Sequence, residues 1–157
     1  MKKLMLKIFT TSLVLQVLFF GSQQLVRAQE MTCPPHAPVA IDIKPGDGPN
    51  TIKLSARGLL PVALLSTPDL DASQFIPEAV HFSDASVSMD MGCVGASPVR
   101  SILDDVNDDG LMDVVYFFRI QDLNLSMDST AARLMAHGDY GSDVVHILGT
   151  DSVVVRP

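Results

Sequence analysis

The chain has 157 residues, with 11 Lys+Arg against 18 Asp+Glu and a formal net charge of −7. That length suits one domain with a sizeable core. Such an acidic chain is expected to repel nucleic acid and anionic membranes and to suit divalent cations instead.

Lys2, Lys3 and Lys7 make a basic start, and Ile8 to Gly21 is apolar but too short to span a bilayer comfortably. Val26-Arg27-Ala28 then puts small residues at −3 and −1 of a cleavage point. Residues 1–28 are therefore expected to be a signal peptide, with an uncleaved anchor helix as the alternative. The expected destination is secreted or periplasmic, with no stable membrane insertion after the signal is removed. Removal leaves 7 Lys+Arg against 18 Asp+Glu, a net −11. Two cysteines remain, Cys33 and Cys93. An even count in an exported domain suggests one disulfide, worth roughly 4 kcal/mol by loop entropy. Two free thiols are the alternative, although there is no C-x-x-C and no basic setting around either cysteine. Glu30-Met31-Thr32 lacks the small-residue pattern that would make Cys33 a lipid-modified cysteine.

Residues 29–38, with Pro34, Pro35 and Pro38, read as a stiff Pro-rich lead-in. Val39 to Lys44 alternates as a half-buried strand, and Pro45 to Asn50 is dense turn chemistry. Thr51 to Leu54 alternates again. Leu60 to Leu65 is the most apolar strand of the mature chain, and Pro61 suggests an edge or first-residue position. Thr67 to Phe75 suits one helical turn, capped by Thr67 or Asp69. Ala79 to Phe82 is a strand, Ser86 to Met91 alternates weakly, and Gly92 to Pro98 is a loop around Cys93. Val99 to Leu103 and Asp113 to Ile120 flank an acidic loop. Asn124 to Thr130 is turn-like, Ala131 to His137 is a strand, and Gly138 to Ser142 is a turn. Val144 to Leu148 and Ser152 to Arg156 close the chain as two strands. The expected fold is all-β: a single antiparallel β-sandwich over 39–157, of about seven to nine short strands, with one inter-strand calcium loop.

The acidic loop runs Asp105-Val106-Asn107-Asp108-Asp109-Gly110-Leu111-Met112-Asp113, or D-x-N-x-D-G-x-x-D. Side-chain oxygens recur at every second position, and glycine stands where the chain must turn back sharply. The expected ligands of a calcium ion are Asp105, Asn107, Asp109, the Leu111 carbonyl and Asp113. With Asp104 and Asp108 there are five carboxylates in ten residues, which repel one another, so the loop without a cation is expected to be loose. The bland alternative is an acidic solvated turn in which Asp-Gly is turn chemistry only. Tyr116 stands at the twelfth position, where an EF-hand has glutamate, and Val114 to Phe118 reads as strand. The loop resembles those of the FG-GAP repeats in integrin-type propellers and, more loosely, dockerin and thrombospondin type 3 loops.

A wider resemblance rests on Ile41-Asp42-Ile43-Lys44-Pro45-Gly46, Pro49-Asn50, Leu60 to Leu65, the acidic loop, and Gly149 to Pro157 with its Asp151-Ser152-Val153. In these the chain is similar to an uncharacterised β-sandwich module of secreted bacterial proteins. The resemblance implies export, calcium and β-architecture, with no established activity.

No motif for chemistry is legible. His36, His81, His137 and His146 stand in no ligand spacing, and there is no G-x-S-x-G. Ser152 follows Asp151 without a base in reach of sequence argument, and Asp42, Glu78 and Asp90 form no recognisable pair. The mature chain has no Trp and only Tyr116 and Tyr140, a poor platform for sugar. The expected function is a secreted calcium-binding structural or binding module, not an enzyme. The alternatives are a surface adhesion module, a carbohydrate- or protein-binding module, and a calcium-stabilised accessory hydrolase. The expected partner is the calcium ion, with a protein or glycan partner left open.

Overall fold

Five consecutive apolar residues, Val114 to Phe118, make the strand after the acidic loop an interior one, and in the computed structural model it lies inside its sheet with Val114, Tyr116 and Phe118 in the core. The structure describes residues 36–88, 94–140 and 143–157. Residues 1–28, expected to be a signal peptide, most of the lead-in, Cys33, Cys93, Asp90 and the Tyr140 side chain lie outside the described residues.

Ten strands are present among the described residues: β1 (Ala37–Val39), β2 (Ile41–Ile43), β3 (Thr51–Lys53), β4 (Leu59–Leu64), β5 (Val80–Asp84), β6 (Arg100–Asp104), β7 (Asp113–Arg119), β8 (Ala131–Tyr140), β9 (Asp143–Ser152) and β10 (Val154–Arg156). One sheet runs β1-β9-β8-β5, the other β2-β4-β7-β6, and β10 pairs with β3. All pairings are antiparallel except β1 with β9 and β10 with β3. The all-β sandwich expectation therefore holds. Leu60, Val62 and Leu64 of β4, Val114, Tyr116 and Phe118 of β7, Phe82 of β5, Leu134 of β8 and Ile147 of β9 share one core. Phe82 and Phe118, from opposite sheets, lie 5.1 Å apart between ring centroids. Burial of such a side chain stabilises by about 1.5–3 kcal/mol.

Several local expectations are corrected. Val39 to Lys44 is not one strand, because the chain leaves the first sheet at Ala40 and enters the second as β2. Alternation cannot register this, since each half faces the same core. Pro61 lies in an interior strand between β2 and β7. Its missing N–H faces the point where β2 ends. Lys44, turning away at φ 59°, donates to the Pro61 carbonyl, and its own carbonyl accepts from Asp47 N at 2.9 Å instead. The helical turn is a short 3-10 turn at Ala72–Gln74, capped by Asp71 through Ser73 N. Residues 149–151, read as a turn, continue β9 as far as Ser152.

The Ile41-to-Gly46 and Pro49-Asn50 stretches meet the closing Gly149-to-Pro157 stretch in space. The Asp151 carboxylate accepts from Ile43 N at 3.0 Å and from Asn50 Nδ2 at 2.8 Å, and Asn50 Nδ2 also reaches the Ser152 carbonyl at 3.0 Å. These bonds tie the opening of the domain to its close. Burial, then the neighbouring Asp151 charge, pushes the Asp42 carboxyl above its ordinary range.

Candidate metal centre

The acidic loop connects β6 to β7, whose ladder ends at the Asp104–Asp113 pair. The bend is framed by its own side chains. Asp105 accepts from Asp109 N at 3.1 Å and Gly110 N at 2.9 Å. Asn107 Oδ1 accepts from the same Asp109 N at 3.1 Å, and Asp109 Oδ1 accepts from Leu111 N at 2.8 Å. Asn107 Nδ2 donates to Asp109 Oδ2 at 2.9 Å. Asp108 and Gly110 take left-handed backbone, at φ 59° and 85°. Gly110 adopts this freely, and Asp is among the residues that tolerate it. The loop expected to be loose is thus held by N–H groups that offset part of the carboxylate repulsion.

Asp105, Asn107 and Asp109 are brought together around one bend, where Asp105 and Asn107 both accept from Asp109 N and Asn107 donates to the Asp109 carboxylate. Leu111 is tied to that bend through its N–H. Asp113 stands in a different setting: it is fully buried, Oδ1 accepting from Ser66 N at 2.8 Å and Oδ2 from Val106 N at 3.1 Å. Ser66 Oγ donates to the Met112 carbonyl at 2.7 Å and accepts from Ala72 N at 3.0 Å. Ser66 was missed by sequence reasoning, because only the β4–β7 register, with Leu64 opposite Val114, brings residue 66 beside 112. Among the described residues no three His, Cys, Asp or Glu side chains are gathered to hold a metal. The donor set here is two exposed or half-buried aspartates, one asparagine amide and a turn, with Asp113 at its base. Hard oxygen donors of this kind fit calcium rather than zinc or copper.

Tyr116, at the position of the absent glutamate, is a core residue whose hydroxyl donates to the Phe75 carbonyl. Burial raises its pKa far above the ordinary phenol value. It offers neither a ligand nor an exposed platform for a sugar ring. Ser152 is bound into the Asp151 stitch and takes its N–H to Asp151 Oδ1 at 2.7 Å.

A second cluster escaped the sequence reading. β8 pairs His137 opposite His146, and their ring centroids are 5.9 Å apart. His36 meets His146 at 5.8 Å. His81 lies beside His137 along a shallow hollow with Met135. Its Nδ1 is buried without a hydrogen-bond partner. Burial first, then the neighbouring His137, lowers the His81 pKa. The unfolded chain therefore takes up this proton at a higher pH than the folded one. Acidification from pH 7 through the ordinary histidine range is expected to lower the melting temperature, and His81→Leu is expected to reduce that step. Thermal melts of both chains across this range, followed by circular dichroism, check it.

No known protein family, curated protein or solved structure matches the chain.

Proposed function

We propose that this chain is an exported β-sandwich module that binds one calcium ion in the β6–β7 loop and serves a structural or binding role without chemistry of its own. The observation that carries this reading is the bend in which Asp105 and Asn107 share the Asp109 N–H, while the Asp109 carboxylate accepts from Leu111 N and from the Asn107 amide. Those three side chains, the Leu111 carbonyl and Asp113 would hold the ion. A dication turns the mutual repulsion of the acids into attraction and locks the hairpin between two strands of the sheet.

The test is a thermal melt of the chain as the cell exports it. Extracellular calcium sites bind on the order of 0.1–1 mM. At a hundredfold excess over the dissociation constant the native state gains about 2.7 kcal/mol, which for this size corresponds to about 8 °C. Calcium is expected to raise the melting temperature against chelator, and Asp105→Ala or Asp109→Ala to abolish the rise. Equal melting with calcium and with chelator would remove the proposal.

A further inference from the structure

We propose that two copies of this chain pair edge to edge through β6, antiparallel, with Ile102 of each on the two-fold axis, to join their β2-β4-β7-β6 sheets into one. The inference is independent of the calcium reading.

The two four-stranded sheets have four outer strands, and three are blocked among the described residues. On β5, Phe82 exchanges both backbone hydrogen bonds with Ala96, at 2.9 and 2.8 Å. On β2, the outward Ile43 N–H is taken by Asp151. β1 is three residues long and carries Pro38 at its centre, which has no N–H to offer. Among the described residues β6 has no such guard, and it is the terminal strand of its sheet.

The register says which groups point outward. Ile120 N bonds Gly58 O and continues the β4–β7 ladder, so the even-numbered residues of β7 bond β4 and the odd-numbered ones bond β6. The partners of Phe117, Val115 and Asp113 in β6 are Arg100, Ile102 and Asp104. Ser101 and Leu103 therefore direct their N–H and C=O groups away from the sheet. In a symmetric antiparallel pair centred on Ile102, Ser101 of one copy exchanges both backbone bonds with Leu103 of the other. The geometry uses the outward groups and leaves β7 undisturbed.

Charge chooses this register over its neighbours. β6 reads Arg100-Ser101-Ile102-Leu103-Asp104, and centring on Ile102 sets each Arg100 opposite the other copy's Asp104 on the same face. Arg100 is already positioned there, its guanidinium 3.6 Å over the Phe117 ring. Ile102 is 42 % exposed and Leu103 56 % exposed. Leu103 borders a cleft of about 220 Å³ with Phe75, Ile76 and Pro77. Pairing removes these apolar groups from water, and the two-fold makes the contact self-complementary and closed. The acidic charge of the whole chain opposes indiscriminate association, so a matched edge is needed to overcome it.

The experiment is sedimentation velocity over a concentration series on the full chain as exported, with amide hydrogen exchange on the same samples. A monomer–dimer equilibrium is expected in the micromolar to millimolar range, with protection at Ser101 and Leu103 rising as the dimer forms. Arg100→Asp and Asp104→Arg each set like charges opposite one another and are expected to weaken the dimer by about tenfold or more. Mixing the two variants restores opposite charges at both positions and is expected to give a heterodimer. A native chain that stays monomeric, or fast exchange at Ser101 and Leu103 at every concentration, would overturn the proposal. So would single variants that dimerise as well as the native chain, or a mixture of monomeric variants that fails to associate.

Discussion

Asp113→Ala is expected to lower the unfolding free energy by about 3 kcal/mol in chelator, before any cation is considered. The reason is burial. Asp113 is fully buried, and its two oxygens accept from Ser66 N and Val106 N. Alanine leaves both donors without a partner beside the core, and hydrogen bonds to an ionised group contribute about 1.5–3 kcal/mol each. Water entering from the loop side recovers part of that loss, which sets the estimate near the lower end of the sum. Asp113→Asn keeps one acceptor but turns an amide N–H toward one of the donors, so an intermediate loss is expected. Asp105→Ala in chelator removes acceptors only from an exposed bend and is expected to cost about 1 kcal/mol. Urea denaturation followed by circular dichroism separates these, since the chain has no Trp to report by fluorescence. An Asp113→Ala loss as small as that of Asp105→Ala in chelator would show that the carboxylate does not anchor the loop to β4.

The contrast between these two aspartates shows what the sequence made legible. Oxygen periodicity and Gly110 mark the bend, because a loop of this kind is a local object and its Asx turns form between residues two to five apart. The same periodicity treats Asp113 as one more oxygen, and its attachment to Ser66 depends on a strand pairing between distant parts of the chain. The strands followed the same divide. Alternation locates β4, β5, β7 and β8 to within a few residues, since side-chain facing is a local property. It is blind to which sheet a strand joins, so it leaves Ala37 and Pro38 of β1 in the lead-in, joins Val39 to β2 across Ala40 and splits β9 at Gly149. The histidines were illegible for a related reason. Their positions carry no ligand spacing along the chain, and only the parallel β1–β9 and antiparallel β8–β9 registers bring His36, His146 and His137 side by side.

Gly95→Ala is expected to cost about 2–3 kcal/mol and to unblock the β5 edge. An added Cβ at residue 95 would stand 2.6 Å from the Phe82 carbonyl oxygen and 2.9 Å from both its carbonyl carbon and its nitrogen. All three atoms are backbone of a fully buried residue in β5, so no side chain can swing aside. The strand-like segment around Ala96 must move away, and with it go the two backbone bonds it exchanges with Phe82. Phe82 is itself a core residue packed on Phe118, so a shift of β5 to relieve the clash is resisted from the other side. The outcome is a destabilised fold that also presents a second open strand edge. Two measurements check this together: a lower denaturation midpoint, and faster hydrogen exchange at the Phe82 and Ala96 amides than in the native chain. A variant with native stability and native exchange at those amides would mean that the 94–97 segment does not lie against β5 as closely as 2.6 Å requires. The same variant tests edge protection as a general feature of this sandwich, because an uncovered β5 adds self-association that the Arg100 and Asp104 exchanges on β6 do not suppress.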